Sequence, residues 1–198
     1  MYFDLLIVLI FGLLWIGVVM FLRLKKKKNH VYLLFFTLFY IYLFKVLDYT
    51  LFQFQSLILL KFFMPNLMLH GQTAERSINL IPLITLTPQD IKTSLLNILL
   101  MVPFGFGLPF ITNFRMKKII IIGALFSIAI ELLQMITGVM AKITFRVADI
   151  NDVLFNTIGA AIGYILFVRF AHLYRHISHK GKTSANPISR YIVERPQS

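Results

Sequence analysis

The 198-residue sequence contains no cysteine and few charged residues. The absence of cysteine excludes a disulfide, a thiolate nucleophile and a thiolate-ligated metal. Charged residues make up 14% of the chain and hydrophobic residues 58%, with a mean hydropathy of +0.79. A soluble domain has about 25% charged residues. The composition therefore predicts an all-α, polytopic transmembrane helical bundle that forms one compact unit.

Acidic residues are scarce as well, with 8 Asp and Glu against 20 Lys and Arg, and the formal charge is +12. In a soluble protein this excess would suggest a nucleic-acid partner, but the positions of the cations point to membrane topology instead. Of the 20 cations, 14 lie in three clusters at 23–28, 115–118 and 169–198, which contain a single acid, Glu194. Cytoplasmic loops are enriched in Lys and Arg. We therefore predict that all three clusters are cytoplasmic and that nucleic acid is not a partner.

The apolar runs predict five membrane spans, because a helix crosses the bilayer in about 20 residues. With the basic clusters inside, the N-terminus lies outside and the C-terminus in the cytoplasm. The first span has no positive charge before it, which favours an uncleaved anchor over a signal peptide. The predicted spans are residues 2–22, 31–50, 93–112, 118–138 and 152–170.

The rest of the chain divides around these spans. Residues 1–77 form an N-terminal two-span region, in which the interrupted apolar run at 51–70 is predicted to lie at the interface or to re-enter the membrane. Residues 78–170 form the main membrane domain, and 171–198 a basic cytoplasmic tail. The last part of the tail, from residue 181, is predicted to be disordered because it is largely polar.

Two of the spans carry polar side chains along one helical face. In the first, Ser127, Glu131 and Gln134 occur at i, i+4 and i+7. In the second, spacings of three and four connect Asp149, Asp152, Asn156, Gly159 and Gly163. A carboxylate at the bilayer centre costs about 2.5–3.5 kcal/mol on insertion scales, so it is tolerated where it faces protein or a wet cavity. We therefore expect the two polar faces to lie against each other.

Other polar residues fall on the same side of the membrane under this topology. Asn97 lies near the outer end of the third span, Arg146 in the loop before the fifth, and Asn79 in the loop before the third. We predict a polar site near the outer leaflet that comprises Asn79, Asn97, Ser127, Glu131, Gln134, Arg146, Asp149, Asp152 and Asn156.

Structural explanations exist for several of these residues. Either Asp149 or Asp152 would cap the N-terminus of a helix. Asn97 and Asn156 would be explained by hydrogen bonds between helices, each worth about 0.6–2 kcal/mol. Gly159 and Gly163 form a small-xxx-small motif that typically mediates close helix packing. Neither a cap nor an interfacial position explains Glu131. An ion pair with Arg146 is an alternative explanation for its carboxylate.

The sequence shows no recognisable catalytic or cofactor motif. It contains no Ser–His–Asp arrangement, phosphate-binding loop or nucleotide fingerprint, and its five histidines are scattered over loops and the tail. Carboxylates such as Glu131, Asp149 and Asp152 suit calcium or magnesium, but no Asp-rich loop supports a metal site. We predict no cofactor and no metal, and we assign no catalytic residue.

Several short motifs between residues 78 and 168 occur in a recognisable order. They are NLIP at 79–82, Asn97, PFGFGLP at 103–109, Ser127, Glu131, Gln134, and the series Arg146, Asp149, Asp152, Asn156, Gly159, Gly163 and Tyr164. In this region the chain resembles the VanZ family of teicoplanin-resistance-like membrane proteins. Leu83 departs from the Phe that the family usually has at that position. The resemblance implies a multi-pass membrane protein of bacteria, and for its namesake a role in low-level teicoplanin resistance.

Three functional hypotheses follow. The first is a non-enzymatic envelope protein whose outer-leaflet site binds a lipid headgroup, a lipid-linked cell-wall precursor or an acylated glycopeptide. In it, Glu131, Asp149 and Asp152 form the acidic cluster, Arg146 contacts the headgroup or serves as counter-ion, and Asn97, Gln134 and Asn156 orient the site. The second is an enzyme on a lipid-linked substrate, with Glu131 or Asp152 as general base. The third is a small transporter. Against this hypothesis, the cytoplasmic halves of the last two spans carry no ionisable residue before Arg169.

Overall fold

The computed structural model of the chain describes residues 2–51, 78–79, 88–141, 148–180 and 186–195. The predicted interfacial or re-entrant segment at 51–70 lies outside the described residues apart from residue 51. The described residues form six helices and two short strands. They are α1 (Tyr2–Leu24), α2 (His30–Thr50), β1 (Ile78–Asn79), α3 (Pro88–Ile111), α4 (Met116–Ala141), β2 (Ala148–Asp149), α5 (Ile150–Lys180) and α6 (Pro187–Val193).

Five of these helices, α1 to α5, are long and apolar enough to cross a membrane. Helices suit this environment because each satisfies its own backbone hydrogen bonds. The predicted all-α polytopic architecture with five spans is therefore confirmed for the part of the chain that the structure describes. The orientation of the termini stays a prediction.

Helices α3 and α5 form the centre of the bundle and make its most extensive contact. Their backbones approach closely at three glycines. A Cβ atom at Gly105 would lie 1.9 Å from the carbonyl oxygen of Ala160, one at Gly159 would lie 2.3 Å from that of Ile98, and one at Gly163 would lie 2.1 Å from that of Val102. No side chain fits at these distances, so glycine is required for the observed helix separation.

Helices α2 and α4 pack on this central pair, and α1 packs on α2. The Tyr42 hydroxyl of α2 donates to the carbonyl oxygen of Leu100 in α3 at 2.7 Å. In α1, the Phe11 carbonyl accepts from the Tyr40 hydroxyl at 2.8 Å, and the Trp15 indole donates to the Thr37 hydroxyl at 3.1 Å. No residue in the most apolar stretch of α1 is buried. The surface of α1 that does not contact α2 therefore suits contact with lipid.

Membrane helices that follow each other in the chain run in opposite directions, so the central pair α3 and α5 is parallel and the bundle has two ends of different character. We call the end formed by the C-termini of α2 and α4 and the N-termini of α3 and α5 the polar end. The opposite end, the basic end, carries the described cations of the three clusters noted in the sequence. The basic end also carries α6.

The structure departs from the sequence-based expectations at three places. Helix α5 continues ten residues beyond the predicted span end, to Lys180, because a helix need not stop where its apolar run stops. Strands β1 and β2 pair in parallel, with Ile78 opposite Ala148 and Asn79 opposite Asp149. Two residues are too few to give a strand pattern in the sequence.

The third departure is α6, because disorder was predicted for the end of the chain and is wrong for residues 186–195. Asn186 caps the helix by accepting a hydrogen bond from the Ile188 amide at 3.0 Å, and Pro187 occupies its first turn. Tyr191 and Ile192 are buried against the bundle. A seven-residue helix is unstable alone, so this tertiary burial is what holds α6 in place.

Candidate functional site

The polar face of α4 points toward α5 and the end of α2. Ser127 is fully buried and Gln134 is nearly so, whereas Glu131 between them is half-buried. The Gln134 side-chain amide donates to the carbonyl oxygen of Thr50 at 2.8 Å. This bond satisfies a carbonyl at the C-terminus of α2 that has no partner within its own helix.

The start of α5 is built around Asp149. Its carboxylate accepts a hydrogen bond from the backbone N–H of Asn151 at 2.8 Å, which is the geometry of a helix N-cap. Its own backbone N–H donates to the Glu131 carboxylate at 3.3 Å. Asp149 therefore caps α5, and its backbone N–H connects this cap to the Glu131 carboxylate of α4. The sequence left a cap at Asp149 as an open alternative.

Asp152 and Asn97 connect α5 to α3. The Asn97 amide donates to the Asp152 carboxylate at 2.6 Å. Asn97 is buried and Asp152 is half-buried, one helical turn from the Asp149 cap. The hydrogen bond orients the carboxylate of a residue that is only half-buried.

The deepest polar contact of the site lies one turn further into the bundle. The Asn156 amide donates to the Ser127 hydroxyl at 2.7 Å, and both side chains are buried. The Asn156 carbonyl oxygen has no hydrogen-bond partner among the described residues. This bond ties α4 to α5 and closes the polar region toward the apolar core.

The two remaining predicted residues are described only in part or not at all. Asn79 is placed through its backbone, in the β1–β2 pair opposite Asp149, and its side chain lies outside the described residues. Arg146 also lies outside them. The pairing of β1 with β2 brings the chain before α3 next to the start of α5, and thus next to the acids.

Together these contacts assemble a site at the polar end from α2, α3, α4, α5 and the strand pair. The carboxylates of Glu131 and Asp149 belong to one hydrogen-bonded group, and the carboxylate of Asp152, one turn along α5, accepts a hydrogen bond from Asn97. Carboxylates can accept hydrogen bonds from an ammonium, hydroxyl or amide group of a ligand. The described residues include no group of three or more His, Cys, Asp or Glu side chains that could hold a metal ion.

Three buried polar residues of this region were not singled out from the sequence. Thr50 is buried and supplies the carbonyl that Gln134 contacts. Ser94 lies one turn before Asn97 on the same face of α3, and Asn151 lies in the first turn of α5. The i, i+3 spacing of Ser94 and Asn97 was a usable signal. Thr50 gave none, because its contribution comes from the backbone.

The family of the chain follows from its match to a family model. The model described as VanZ/LLP1 matches residues 6–172, most of the chain. The chain belongs to the VanZ/LLP1 family. No curated protein and no solved structure matches it.

The VanZ/LLP1 match includes α1 and α2, whereas the motifs of the resemblance begin only at residue 78. It also includes every described residue of the polar end. It stops within α5, before α6, so the buried terminal helix lies outside the matched region.

Proposed function

We propose that this VanZ/LLP1 membrane protein binds an amphiphile at its polar end and thereby contributes to resistance against acylated, teicoplanin-type glycopeptides in a bacterial envelope. The amphiphile is the acylated drug itself or the headgroup of a membrane lipid, including a lipid-linked cell-wall precursor. The observation that carries this proposal is the Asp152–Asn97 hydrogen bond next to Glu131 and Asp149. It holds a half-buried carboxylate of α5 one turn from the Asp149 cap, whose backbone N–H contacts the Glu131 carboxylate of α4.

The chemistry of both ligands suits such a site. A glycopeptide or lipid headgroup offers hydroxyl, amide and ammonium donors, and an attached acyl chain has to stay in an apolar environment. Carboxylates accept hydrogen bonds from charged donors more strongly than neutral acceptors do. With the N-terminus outside, as the basic clusters predict, the polar end opens toward the leaflet where these compounds are displayed.

Drug susceptibility of a Gram-positive host that expresses the protein tests this proposal. Wild type, Glu131→Gln and Asp152→Asn are compared against an acylated and an unacylated glycopeptide. Both substitutions remove a charge but keep an oxygen that can accept the hydrogen bonds from the Asp149 amide and the Asn97 amide. We expect selective protection against the acylated drug with wild type and its loss in both variants.

Asp48→Asn is the matched control. Asp48 is an acid near the same end of the bundle, but its carboxylate is exposed and pairs with Lys45 at 3.3 Å. An exposed ion pair of this kind contributes about 0–1 kcal/mol to stability. Protection should persist in this control at equal membrane expression. Protection that survives both Glu131→Gln and Asp152→Asn would show that the acids serve only the fold.

A further inference from the structure

An aromatic cavity opens between α2, α3, α5 and α6, in the half of the bundle nearer the basic end. Its volume is about 410 Å³ and its lining is almost entirely apolar. Cavities of about 300–1,000 Å³ are typical of sites for small organic ligands. The lining residues that matter below are Phe35, Leu38, Phe106, Phe110, Phe170 and Ile192.

A second cavity, of about 320 Å³, adjoins the first at the basic end and is mainly polar. Its lining includes the cations Lys28 and Arg195, the tyrosines Tyr32 and Tyr191, and one acid, Glu194. Lys28 and Arg195 are each half-buried, whereas Glu194 is exposed. The cavity therefore presents partly desolvated positive charge, which favours an anion over a cation.

The Arg195 guanidinium is held in position by neighbours from two elements. One of its nitrogens donates to the Asn113 side-chain carbonyl at 3.0 Å, and another contacts the Tyr191 hydroxyl. Tyr191 in turn donates to the carbonyl oxygen of Phe110 at 2.5 Å. Burial raises the pKa of Tyr191, although the nearby Arg195 charge opposes this, so the hydroxyl stays protonated and donates. A fixed guanidinium is well suited to a phosphate.

Helices α2, α3 and α6 line both cavities, which lie end to end along them. Phe35 of the aromatic cavity stacks on Tyr191 of the polar cavity, with ring centroids 5.5 Å apart. In the aromatic cavity the lining of α2 runs from Phe35 to Tyr42, seven residues or about 10 Å at 1.5 Å per residue. This is about two thirds of one leaflet of a hydrocarbon core about 30 Å thick. The combined shape is that of a charged headgroup followed by the first part of an acyl chain.

We propose that α2, α3 and α6 hold one anionic phospholipid, with its phosphate at Lys28 and Arg195 and one acyl chain in the aromatic cavity. The site lies at the basic end, away from the acids of the proposed drug site, and does not depend on that function. Basic pockets between membrane helices are suited to anionic headgroups, because the net negative charge of such a lipid neutralises the cations, whereas in phosphatidylcholine the choline cation offsets the phosphate charge.

Native mass spectrometry of the full chain tests this proposal. The protein is released from nanodiscs that contain phosphatidylcholine with a minor share of phosphatidylglycerol, and the lipid that stays bound is identified. Wild type should retain phosphatidylglycerol in preference to phosphatidylcholine. Lys28→Gln combined with Arg195→Gln should weaken that retention about thirtyfold, which corresponds to about 1 kcal/mol from each of the two cations near an anionic lipid. Equal retention of both lipids by wild type would overturn the proposal.

Two control variants test whether lipid retention depends on the cations of the cavity, rather than on overall positive charge or on an intact α6. Arg190→Gln removes an exposed cation of α6 that does not line the cavity, and it should leave retention unchanged. Lys28→Gln alone leaves the Arg195 contacts intact and should still lower retention. A loss in Arg190→Gln as large as in the double variant would mean that only net charge matters.

Two tryptophan variants of α2 test whether an acyl chain occupies the aromatic cavity. Leu38 lines the aromatic cavity and Leu34, one turn away on α2, does not; both are exposed. Leu38→Trp fills the cavity and should reduce phosphatidylglycerol retention, whereas Leu34→Trp should not. Equal retention in the two variants would rule out a chain in the cavity.

Discussion

At the scale of single residues, the polar end divides into side chains that hold helices together and side chains that remain partly accessible. Ser127, Asn156 and Gln134 are buried, and their described hydrogen bonds link α4 to α5 and to the end of α2. Glu131 and Asp152 are half-buried carboxylates. The first group explains stability, and the second group carries the proposed chemistry.

Ser127→Ala is expected to destabilise the bundle by about 1–2 kcal/mol, because it leaves the buried Asn156 amide without the hydroxyl it donates to. Thr157→Ala is the control, since the Thr157 hydroxyl bonds only the Val153 carbonyl of its own helix in the described contacts. Thermal unfolding of both variants in the same detergent measures the difference. Equal melting temperatures would contradict a structural role for the Ser127–Asn156 bond.

At the scale of helices, the central contact depends on the glycines of α3 and α5. A Cβ at Gly163 would approach the Val102 carbonyl oxygen to 2.1 Å. Backbone atoms cannot move aside as a flexible side chain can, so the two helices would have to separate. The small-xxx-small spacing in the sequence predicted a packing face, but it did not identify α3 as the partner.

Gly163→Ala should therefore cost about 1–3 kcal/mol of stability, as overpacking typically does. Gly12→Ala provides a matched control, because nothing lies within 4 Å of the Cβ it would introduce in α1. Chemical unfolding in mixed micelles compares the two alanine variants with wild type. A loss in Gly12→Ala equal to that in Gly163→Ala would mean that the close approach of α3 and α5 contributes nothing.

How far the sequence predicts this fold depends on what each helix needs. The apolar runs predict α1 to α4 well, because a membrane helix requires about 20 apolar residues whatever its neighbours are. They predict only the membrane part of α5, since the helix continues through polar residues to Lys180. They fail for α6, whose order depends on Tyr191 and Ile192 packing against aromatic residues of α2 and α3.

The polar site shows the same limit. Helical periodicity is enough to group Ser127, Glu131 and Gln134 on one face, because i, i+4 and i+7 are neighbours on any helix. The partners of these residues come from other elements, and periodicity on one helix does not determine them. Thr50 contributes through its backbone carbonyl and the β1–β2 pair through two residues a side, so neither leaves a signal in the sequence.

At the scale of the whole molecule, charge is separated between the two ends of the bundle. The acids of the site lie at the polar end, and the described cations of the three clusters lie at the basic end. The excess of cations in cytoplasmic loops then predicts that the polar end faces outward. Both proposals use this polarity, with the drug site in the outer leaflet and the phospholipid in the inner leaflet.

The predicted orientation can be tested directly because the chain has no cysteine. Single cysteines are introduced at position 144, between α4 and α5, and at position 190, in α6. A membrane-impermeant maleimide added to intact cells should label the cysteine at 144 and not the one at 190, and both should be labelled after lysis. Labelling of 190 but not 144 in intact cells would reverse the topology.

The most direct test of the central claim is equilibrium binding at the polar end. Wild type and Asp152→Asn are reconstituted in nanodiscs and titrated with an acylated glycopeptide and, separately, with a lipid-linked cell-wall precursor. We predict that wild type binds at least one of these amphiphiles and that Asp152→Asn weakens this binding about tenfold, which corresponds to the loss of about 1.4 kcal/mol from one charge-assisted hydrogen bond. Equal affinity of the two proteins, or binding of neither amphiphile to wild type, would contradict an amphiphile site formed by Asn97, Glu131, Asp149 and Asp152.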